Sequence, residues 1–453
     1  MAQIRPFRAF RYDTQRFSPA DVLTQPYDKI SPEMQQRYYR LSPDNLITIE
    51  KGLVLPDDTA RNNVHTRAAD KLRELIAKHA LVQDAQPSIY AYAQDYQAPG
   101  QHDRKTRRGF IALGHLENYE AGVVFRHEKT LSAPKADRLE LLRQTKAQTG
   151  LLFMLYDDLA QKLDAALEKI AATPPALQFD DEFGVTHRLW QISDPAIIQN
   201  FVQAMADKAL VIADGHHRYE TALNYRDERR KQTAQPGQQS SAANPDAPYE
   251  FAMMAFFNTR ASGLTILPTH RLVRNVTNFK WEKFRQQASE FFDWQQYPPP
   301  NATNAAKVTN AQALAKLAAD MANSADSHSM GVYSRDGLYR LTLQRNVDLT
   351  KLFPDLAPGQ RELDVVLLHG LLLEKCLGIT PAAVVAEQNV TYVREIEKAI
   401  EDVDSGRAQL AFLLNPVSVQ TVVDLASRGE VLPQKSTDFY PKVLSGLVIY
   451  VQP

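Results

Sequence analysis

The sequence predicts an α+β protein, because helical and strand patterns alternate without a regular repeat. Residues Asp57 to His79 carry apolar side chains at helical spacing. Two stretches, Ser88–Gln97 and Arg107–Leu116, alternate aromatic or apolar with polar residues across a loop that contains Pro and Gly, which predicts an antiparallel hairpin. The stretch Lys208–Asn224, KALVIADGHHRYETALN, changes from a short apolar run to helical spacing. We expect a strand, a turn and a helix there.

The length and composition predict two or three packed domains. The chain has 453 residues, of which 44% are hydrophobic and 23% charged. This is ordinary globular usage, and single cores rarely grow beyond about 250–300 residues. Residues 232–248 are rich in Gln, Ser, Ala and Pro and predict a mobile linker or loop. We therefore expect an N-terminal region at 1–231 and a C-terminal α/β region at 249–453.

Further elements follow from the same patterns. Apolar runs predict strands at Leu46–Glu50 and Tyr249–Asn258, and a closing strand within Val443–Val451. A helix is predicted at Ala136–Lys146. The sequence Arg335-Asp336-Gly337 is typical of a hairpin turn.

Charge and cysteine content exclude several classes of function. Lys and Arg number 52 and Asp and Glu number 53, giving a net charge of −1, so nucleic acid is disfavoured as a partner. With Cys376 as the only cysteine, neither an intrachain disulfide nor a cysteine-based zinc cluster can form. We find no signal peptide and no apolar run of about 18 residues. The expected location is the cytoplasm.

The turn at Asp214-Gly215 is the main candidate site. A buried strand that ends at a helix N-terminus places ionisable side chains beside free backbone N–H groups, which attract anions. His216, His217 and Arg218 lie in the first helical turn, where cations oppose the helix dipole unless an anion is bound. A helix start capped by Asp214, with histidines facing solvent, explains the same pattern. A metal site is a third interpretation; it would use Asp214, His216 and Glu220.

Three other stretches carry weaker signals. RHEKTLSAPKADR offers Glu128 as a base and Lys129 and Lys135 as phosphate ligands, but it also fits a solvated loop. LPQKSTDFYPK offers Lys435, Ser436 and Lys442 for a phosphate pocket, although inert Pro-bounded loops look similar. LPTHRLV places His270 and Arg271 at a strand end, where a buried histidine bonded to backbone is an equal explanation. No P-loop, GxGxxG or GxSxG motif occurs.

Several motifs together closely resemble a known bacterial family, domain of unknown function 1015 (DUF1015). They span residues 5 to about 448 and are PFRAFRY, PYDKIS, TRRGFIALGHLENYE, HEKTLSAPKADRLELL, ADGHHRYETAL, LPTHRLV, AFLLNP and LPQKSTDFYPKVLSGLV. That family is similar to the ParB, sulfiredoxin and free-serine-kinase group, in which a turn that contains Gly, His and Arg binds nucleotide phosphates. The resemblance implies a ParB/sulfiredoxin-like N-terminal region followed by an additional C-terminal region. The sulfiredoxin-type cysteine is absent from the turn, which removes peroxide-repair chemistry.

The resemblance implies a nucleotide-dependent phosphotransferase acting on the hydroxyl of a small metabolite, with serine or phosphoserine preferred and ATP or ADP with Mg²⁺ as cofactors. A non-catalytic nucleotide-binding module and a phosphoester hydrolase are the alternatives, and a homodimer remains an option. Asp214, His216, His217, Arg218, Glu128 and Glu220 are the expected catalytic residues, with Glu128 preferred over Glu220 as general base. Asp214 is also the expected metal ligand. The expected cofactor-binding residues are Gly215, Arg218, Lys129, Lys135, Lys435 and Ser436.

Overall fold

The computed structural model describes residues 1–101, 103–128, 132–233, 244–297, 306–323 and 327–452. They form two compact units: Met1–Thr265 together with Phe439–Pro453, and Ile266–Asp438. Each combines sheets with helices, which confirms the α+β class. This division differs from the predicted one, because the strand after residue 249 pairs inside the first unit's sheet. Of the predicted linker, residues 234–243 lie outside the described residues.

The first unit is built on one large mixed sheet. Its strands in spatial order are Val124–Phe125, Leu210–Asp214, Leu152–Tyr156, Phe251–Asn258, Arg104–His115, Ile89–Gln97, Thr186–Ile192 and Leu177–Asp180, and Ile4–Arg5 pairs with Arg104–His115. The predicted hairpin is confirmed, since Tyr92 pairs with Gly109 in an antiparallel register. Two small pairs complete the strands, Phe10–Tyr12 with Leu81–Gln83 and Ala147–Gln148 with Tyr450–Val451.

Helices flank this sheet, and their apolar faces form the core. The helices are Pro19–Val22, Pro32–Leu41, Ile47–Glu50, Val64–Ala77, Ser132–Thr145, Lys162–Ala171, Pro195–Met205 and His216–Thr233, with 3₁₀ turns at Tyr27–Lys29, Tyr119–Ala121 and Pro248–Glu250. Phe110 stacks on Phe256 and meets Phe201 edge-on, each at a centroid distance of 5.0 Å. The same buried cluster includes Leu210 and Ile212, from the strand that leads to the candidate site.

The second unit has its own sheet and core. Its antiparallel strands in spatial order are Phe292–Tyr297, Gly337–Leu343, Ser329–Ser334, Leu410–Leu413, His270–Val273 and Val390–Val393. Its helices are Trp281–Ala288, Ala306–Ala322, Leu349–Leu352, Pro358–Arg361, Asp364–Leu367, Pro381–Val385, Ile396–Asp404 and Val419–Ser427, with a π-helix at Leu368–Cys376. The predicted hairpin at Arg335–Gly337 is confirmed by the pairing of Ser334 with Gly337. Short strands at Thr265–Leu267 and Asp438–Tyr440 lie at the unit boundaries.

One predicted strand is wrong, and another is shorter than predicted. Leu46–Glu50 is not a strand, because Ile47–Glu50 forms a helical turn. The Asn45 side-chain oxygen accepts a hydrogen bond from the Ile47 N–H at 2.8 Å, a local bond that competes with strand pairing. The closing strand is reduced to Tyr450–Val451, since Gly446 has a φ of +92°, which extended backbone cannot contain.

Among the described residues, no helix combines the length and the apolar character needed to cross a membrane.

Candidate active site

The predicted strand, turn and helix at Asp214 are present. The strand Leu210–Asp214 ends in the large sheet, and the helix His216–Thr233 begins two residues later. Gly215 joins them with a φ of +97°, and its carbonyl accepts the Tyr219 N–H at 2.9 Å. A Cβ built on Gly215 would lie 3.1 Å from Leu152 and 3.2 Å from the Arg218 guanidinium. Only glycine combines this backbone angle with so close an approach.

Asp214 does not act as the simple helix cap that the sequence suggested. Its carboxylate lies 3.5 Å from Arg218 Nη2 and 3.7 Å from Lys442 Nζ. Burial raises the pKa of this carboxyl, but the nearby charges of Lys442, Arg218 and Lys29 outweigh that effect and lower the pKa to about 2. Asp214 is therefore ionised at neutral pH and sits between two cations.

Arg218 is held beneath the turn by the backbone. Its Nη1 donates to the Leu151 carbonyl at 2.6 Å, and its side chain is 13% exposed. Gly150 permits this approach, since a Cβ there would lie 2.9 Å from Nη1. Within the described part of the chain, Arg218 Nε is buried without a hydrogen-bond partner. Donors held in this way at a helix N-terminus suit an anionic ligand.

The two histidines after Gly215 have different surroundings. His216 is buried and packs edge-on against His127, with ring centroids 4.6 Å apart. Burial, followed by the neighbouring His127, holds the pKa of His216 well below its usual value. His217 is half-buried in the first helical turn, and its carbonyl accepts the Thr221 hydroxyl at 2.7 Å.

The two candidate general bases have different neighbours. Glu220 binds Lys135 Nζ at 2.8 Å and Arg126 Nη1 at 3.3 Å, so Lys135 lies at the site as an ion-pair partner of Glu220. Glu128 is half-buried, and its carboxylate lies near ring nitrogens of His127 and His216. The contacts of Glu220 are thus with two cations, and those of Glu128 are with two imidazole rings.

Three of the expected cofactor-binding residues lie outside the described residues of the first unit. Lys129 lies outside the described residues. Lys435 and Ser436 belong to the second unit, where the Lys435 carbonyl accepts Arg271 Nη2 at 3.1 Å and the Ser436 hydroxyl donates to the Pro433 carbonyl at 2.5 Å. In the same unit, His270 Nδ1 accepts the Leu414 N–H at 3.2 Å, which supports the explanation of His270 as a buried, backbone-bonded histidine.

A small pocket beside Arg218 contains a residue that the sequence did not single out. The pocket has a volume of about 70 Å³, and its lining includes Tyr27, Glu50, Arg138 and Arg218. Glu50 is 2% exposed and accepts hydrogen bonds from the hydroxyls of Thr149 and Ser445. The sequence carried one signal for Glu50, because this carboxylate ends the apolar run Leu46–Glu50. Burying a carboxylate there is costly unless donors such as these hydroxyls bind it.

Lys442 was noted in its motif but not among the expected site residues. It is 8% exposed and follows the buried Tyr440-Pro441 segment, whose two carbonyls accept hydrogen bonds from Arg107. The sequence signal for a role of Lys442 was its position between aromatic residues and the apolar C-terminal run. The chain end thus supplies a second cation to Asp214.

Comparison with protein families identifies the chain. The family model described as "Protein of unknown function (DUF1015)" matches residues 4–366. This protein belongs to the DUF1015 family. The resemblance in the motifs is thereby confirmed. No curated protein matches the chain.

Solved structures give distant similarities to this DUF1015 protein. Free serine kinase, in complexes with AMP and with ADP, is 11% identical, with coverage of 72% of this chain and 89% of that chain and a TM-score of 0.34. A conserved hypothetical protein from Pyrococcus furiosus is 11% identical, covering 72% and 92%, with a TM-score of 0.32. SbnI with a C-terminal truncation, from Staphylococcus aureus, is 9% identical, covering 75% and 87%, with a TM-score of 0.33. Similarity at this level does not assign roles to residues.

Proposed function

We propose that this protein is a nucleotide-dependent phosphotransferase that acts on the hydroxyl group of a small metabolite, with serine or phosphoserine as the preferred substrate. The observation that carries the proposal is the arrangement of Gly215, Arg218 and Lys442 around the helix N-terminus at Asp214. A positive-φ glycine, backbone N–H groups and two cations converge there. These are the groups that bind phosphate in proteins.

The residues present fit a nucleotide phosphate. Gly215 lacks the Cβ that would otherwise meet Arg218 and Leu152, so the Arg218 guanidinium can lie directly against the turn. Arg218 and His217 would stabilise the charge on the transferring group. Mg²⁺, when bound with ATP or ADP, neutralises phosphate charge, and the ionised Asp214 carboxylate is the type of hard oxygen ligand it prefers.

The acceptor hydroxyl needs a base. In the forward reaction its oxygen attacks the terminal phosphorus, the bond to the bridging oxygen of the nucleotide breaks, and a carboxylate takes the hydroxyl proton. Glu128 is the first candidate for this carboxylate and Glu220 the second.

The pocket beside Arg218 supports a small zwitterionic acceptor. The Glu50 carboxylate and the Arg138 guanidinium provide opposite charges for the ammonium and carboxylate of an amino acid. Arg138 stacks 4.4 Å above the Tyr27 ring and donates to the Glu50 carbonyl at 2.7 Å, and these two contacts hold its guanidinium at the pocket wall.

The test is a substrate screen with the purified protein. ATP, ADP, CTP and pyrophosphate are each incubated with serine, and the corresponding nucleoside diphosphate or monophosphate with phosphoserine, and the products are followed by ³¹P NMR. We expect phosphoserine from a nucleotide and serine, with much less from the Asp214→Asn variant. A nucleotide that binds without turnover would indicate a binding module, and free phosphate would indicate a hydrolase. Either of those results would contradict the proposal.

A further inference from the structure

Two strand ends bring histidines together beside the turn. The strand Val124–Phe125 runs parallel to Leu210–Asp214, with Val124 opposite Leu210. His127 and Glu128 follow the first strand, and His216 follows the second. The parallel strands end at the same edge of the sheet, so these residues lie close together. One nitrogen from each ring and one Glu128 oxygen lie within 4.8 Å of one another.

Hydrogen bonds set the protonation of each ring. His127 Nδ1 lies 2.7 Å from the Ile212 carbonyl, which can only accept, so Nδ1 carries the proton and Nε2 keeps a lone pair. His216 Nε2 accepts the backbone N–H of His127 at 3.4 Å, so this nitrogen also carries a lone pair, and a metal ion bound there would replace this long hydrogen bond. Metal-binding histidines commonly donate their other nitrogen to a backbone carbonyl, as His127 does.

The two imidazole rings of the cluster are buried. His127 is 0% exposed and His216 is 6% exposed. Glu128 is half-buried and adds an oxygen ligand to the two ring nitrogens.

We propose that His127, Glu128 and His216 form a site for a divalent transition-metal ion such as Zn²⁺ or Mn²⁺. Two imidazoles and one carboxylate favour such an ion over Mg²⁺, which prefers oxygen ligands alone. Metal–ligand distances of about 2.1 Å in a tetrahedral site place ligand atoms roughly 3.4 Å apart, so binding draws these three atoms closer. Three protein ligands leave a fourth position for water or a phosphate oxygen.

This site goes beyond the proposed phosphotransfer, since metal binding here needs neither nucleotide nor turnover. It is also separate from the Asp214 carboxylate, which is not among the three ligands. If Glu128 binds a metal ion, it is not the general base, and another carboxylate must take that role. A metal assay and a nucleotide assay therefore give independent answers.

The test measures metal binding without nucleotide. The full-length protein is stripped with a chelator and dialysed against Co²⁺, Zn²⁺, Mn²⁺ or Mg²⁺, bound metal is counted by mass spectrometry, and Co²⁺ is followed by its visible absorption. We expect one Co²⁺ or Zn²⁺ per chain, with Mg²⁺ not retained at the same concentration. Glu128→Gln and His216→Asn should each weaken Co²⁺ binding at least about tenfold.

Controls separate a metal site from a folding effect. His65→Asn and Glu228→Gln remove a histidine and a carboxylate outside the triad and should bind Co²⁺ as the wild type does. Glu128 is half-buried, so Glu128→Gln keeps the test valid if His216→Asn does not fold. Absence of stoichiometric metal in the wild type, or unchanged Co²⁺ affinity in folded Glu128→Gln, would overturn the proposal. Metal binding without nucleotide turnover would contradict the proposed function alone.

Discussion

The Lys442 ammonium nitrogen lies 3.7 Å from Asp214 Oδ1, although the two residues are far apart in the sequence. Their side chains are 7% and 22% exposed, so solvent screens the attraction only in part. Arg218 approaches the other oxygen of the same carboxylate at 3.5 Å. The chain end therefore helps to set the charge of the turn in which we place phosphate binding.

Replacing Lys442 with Met should destabilise the protein in a pH-dependent way. The pKa of Asp214 is lowered to about 2, so its stabilising effect is complete above the unfolded pKa of 3.8 and disappears as the pH falls through about 2. We expect Lys442→Met to lower the free energy of unfolding by about 3 kcal/mol at pH 7, since one member of a buried pair is lost. The difference from wild type should narrow below pH 4.

Urea titrations at pH 7, 5, 4 and 3 measure this difference. Lys351→Met is the matched control, because it removes the exposed partner of Asp348, with which it forms an ion pair of 3.4 Å. That variant should change the unfolding free energy by at most about 1 kcal/mol. Equal effects of the two variants at pH 7 would contradict the importance of the Lys442 pair.

Gly215→Ala should impair both stability and nucleotide binding. A φ of +97° is strained for alanine, and the new Cβ would lie 3.1 Å from Leu152 and 3.2 Å from Arg218. We expect the backbone strain alone to lower the free energy of unfolding by about 1–2 kcal/mol. The new Cβ should also displace Arg218. Gly122→Ala is the control, since Gly122 has a φ of +66° and no atom within 4 Å of its Cβ position.

Thermal unfolding and ATP titration calorimetry distinguish the two contributions. Both variants should lose stability, but only Gly215→Ala should weaken ATP binding. Unchanged ATP affinity in folded Gly215→Ala would place the phosphates elsewhere.

The strand, turn and helix at Asp214 could be predicted from the sequence because the hydrophobic period changes there, and a period is a local property. The contacts of Asp214 with Lys442, and of Glu50 with Thr149 and Ser445, could not be predicted in the same way. They depend on how distant segments pair in the sheet. The helical turn Ile47–Glu50 was missed because its three β-branched residues favour a strand, whereas the Asn45 side chain bonds the first N–H.

His270 should make the second unit sensitive to mild acid. Burial, together with the neighbouring Arg271, lowers the pKa of His270 to about 4, below the unfolded value of 6.5. Between these values the unfolded chain binds a proton that the folded one does not, so stability is complete above pH 6.5 and falls as the pH drops toward 4. The loss from this residue should reach about 3 kcal/mol at most. His270→Gln should reduce the dependence of the free energy of unfolding on pH between 6.5 and 4.

Denaturation followed by tryptophan fluorescence can isolate this unit. Trp281 and Trp294 lie in the second unit and Trp190 in the first, so a Trp190→Phe background reports the second unit. His65→Gln, in the first unit, serves as the control and should leave the slope unchanged. An identical slope between pH 6.5 and 4 in wild type and His270→Gln would refute the prediction.

The most direct test of the phosphotransfer proposal is the turnover of Arg218→Ala at saturating serine and nucleotide, measured as phosphoserine formed per minute. Loss of one charge-stabilising donor should reduce turnover by about 10²–10³-fold, and Arg218→Lys should recover only part of it, because lysine lacks the planar fork. Arg229→Ala, which removes a guanidinium further along the same helix that hydrogen-bonds Gln232, is the matched control and should retain wild-type turnover. If folded Arg218→Ala turns over nucleotide at the wild-type rate, the turn at Asp214 is not the phosphotransfer site.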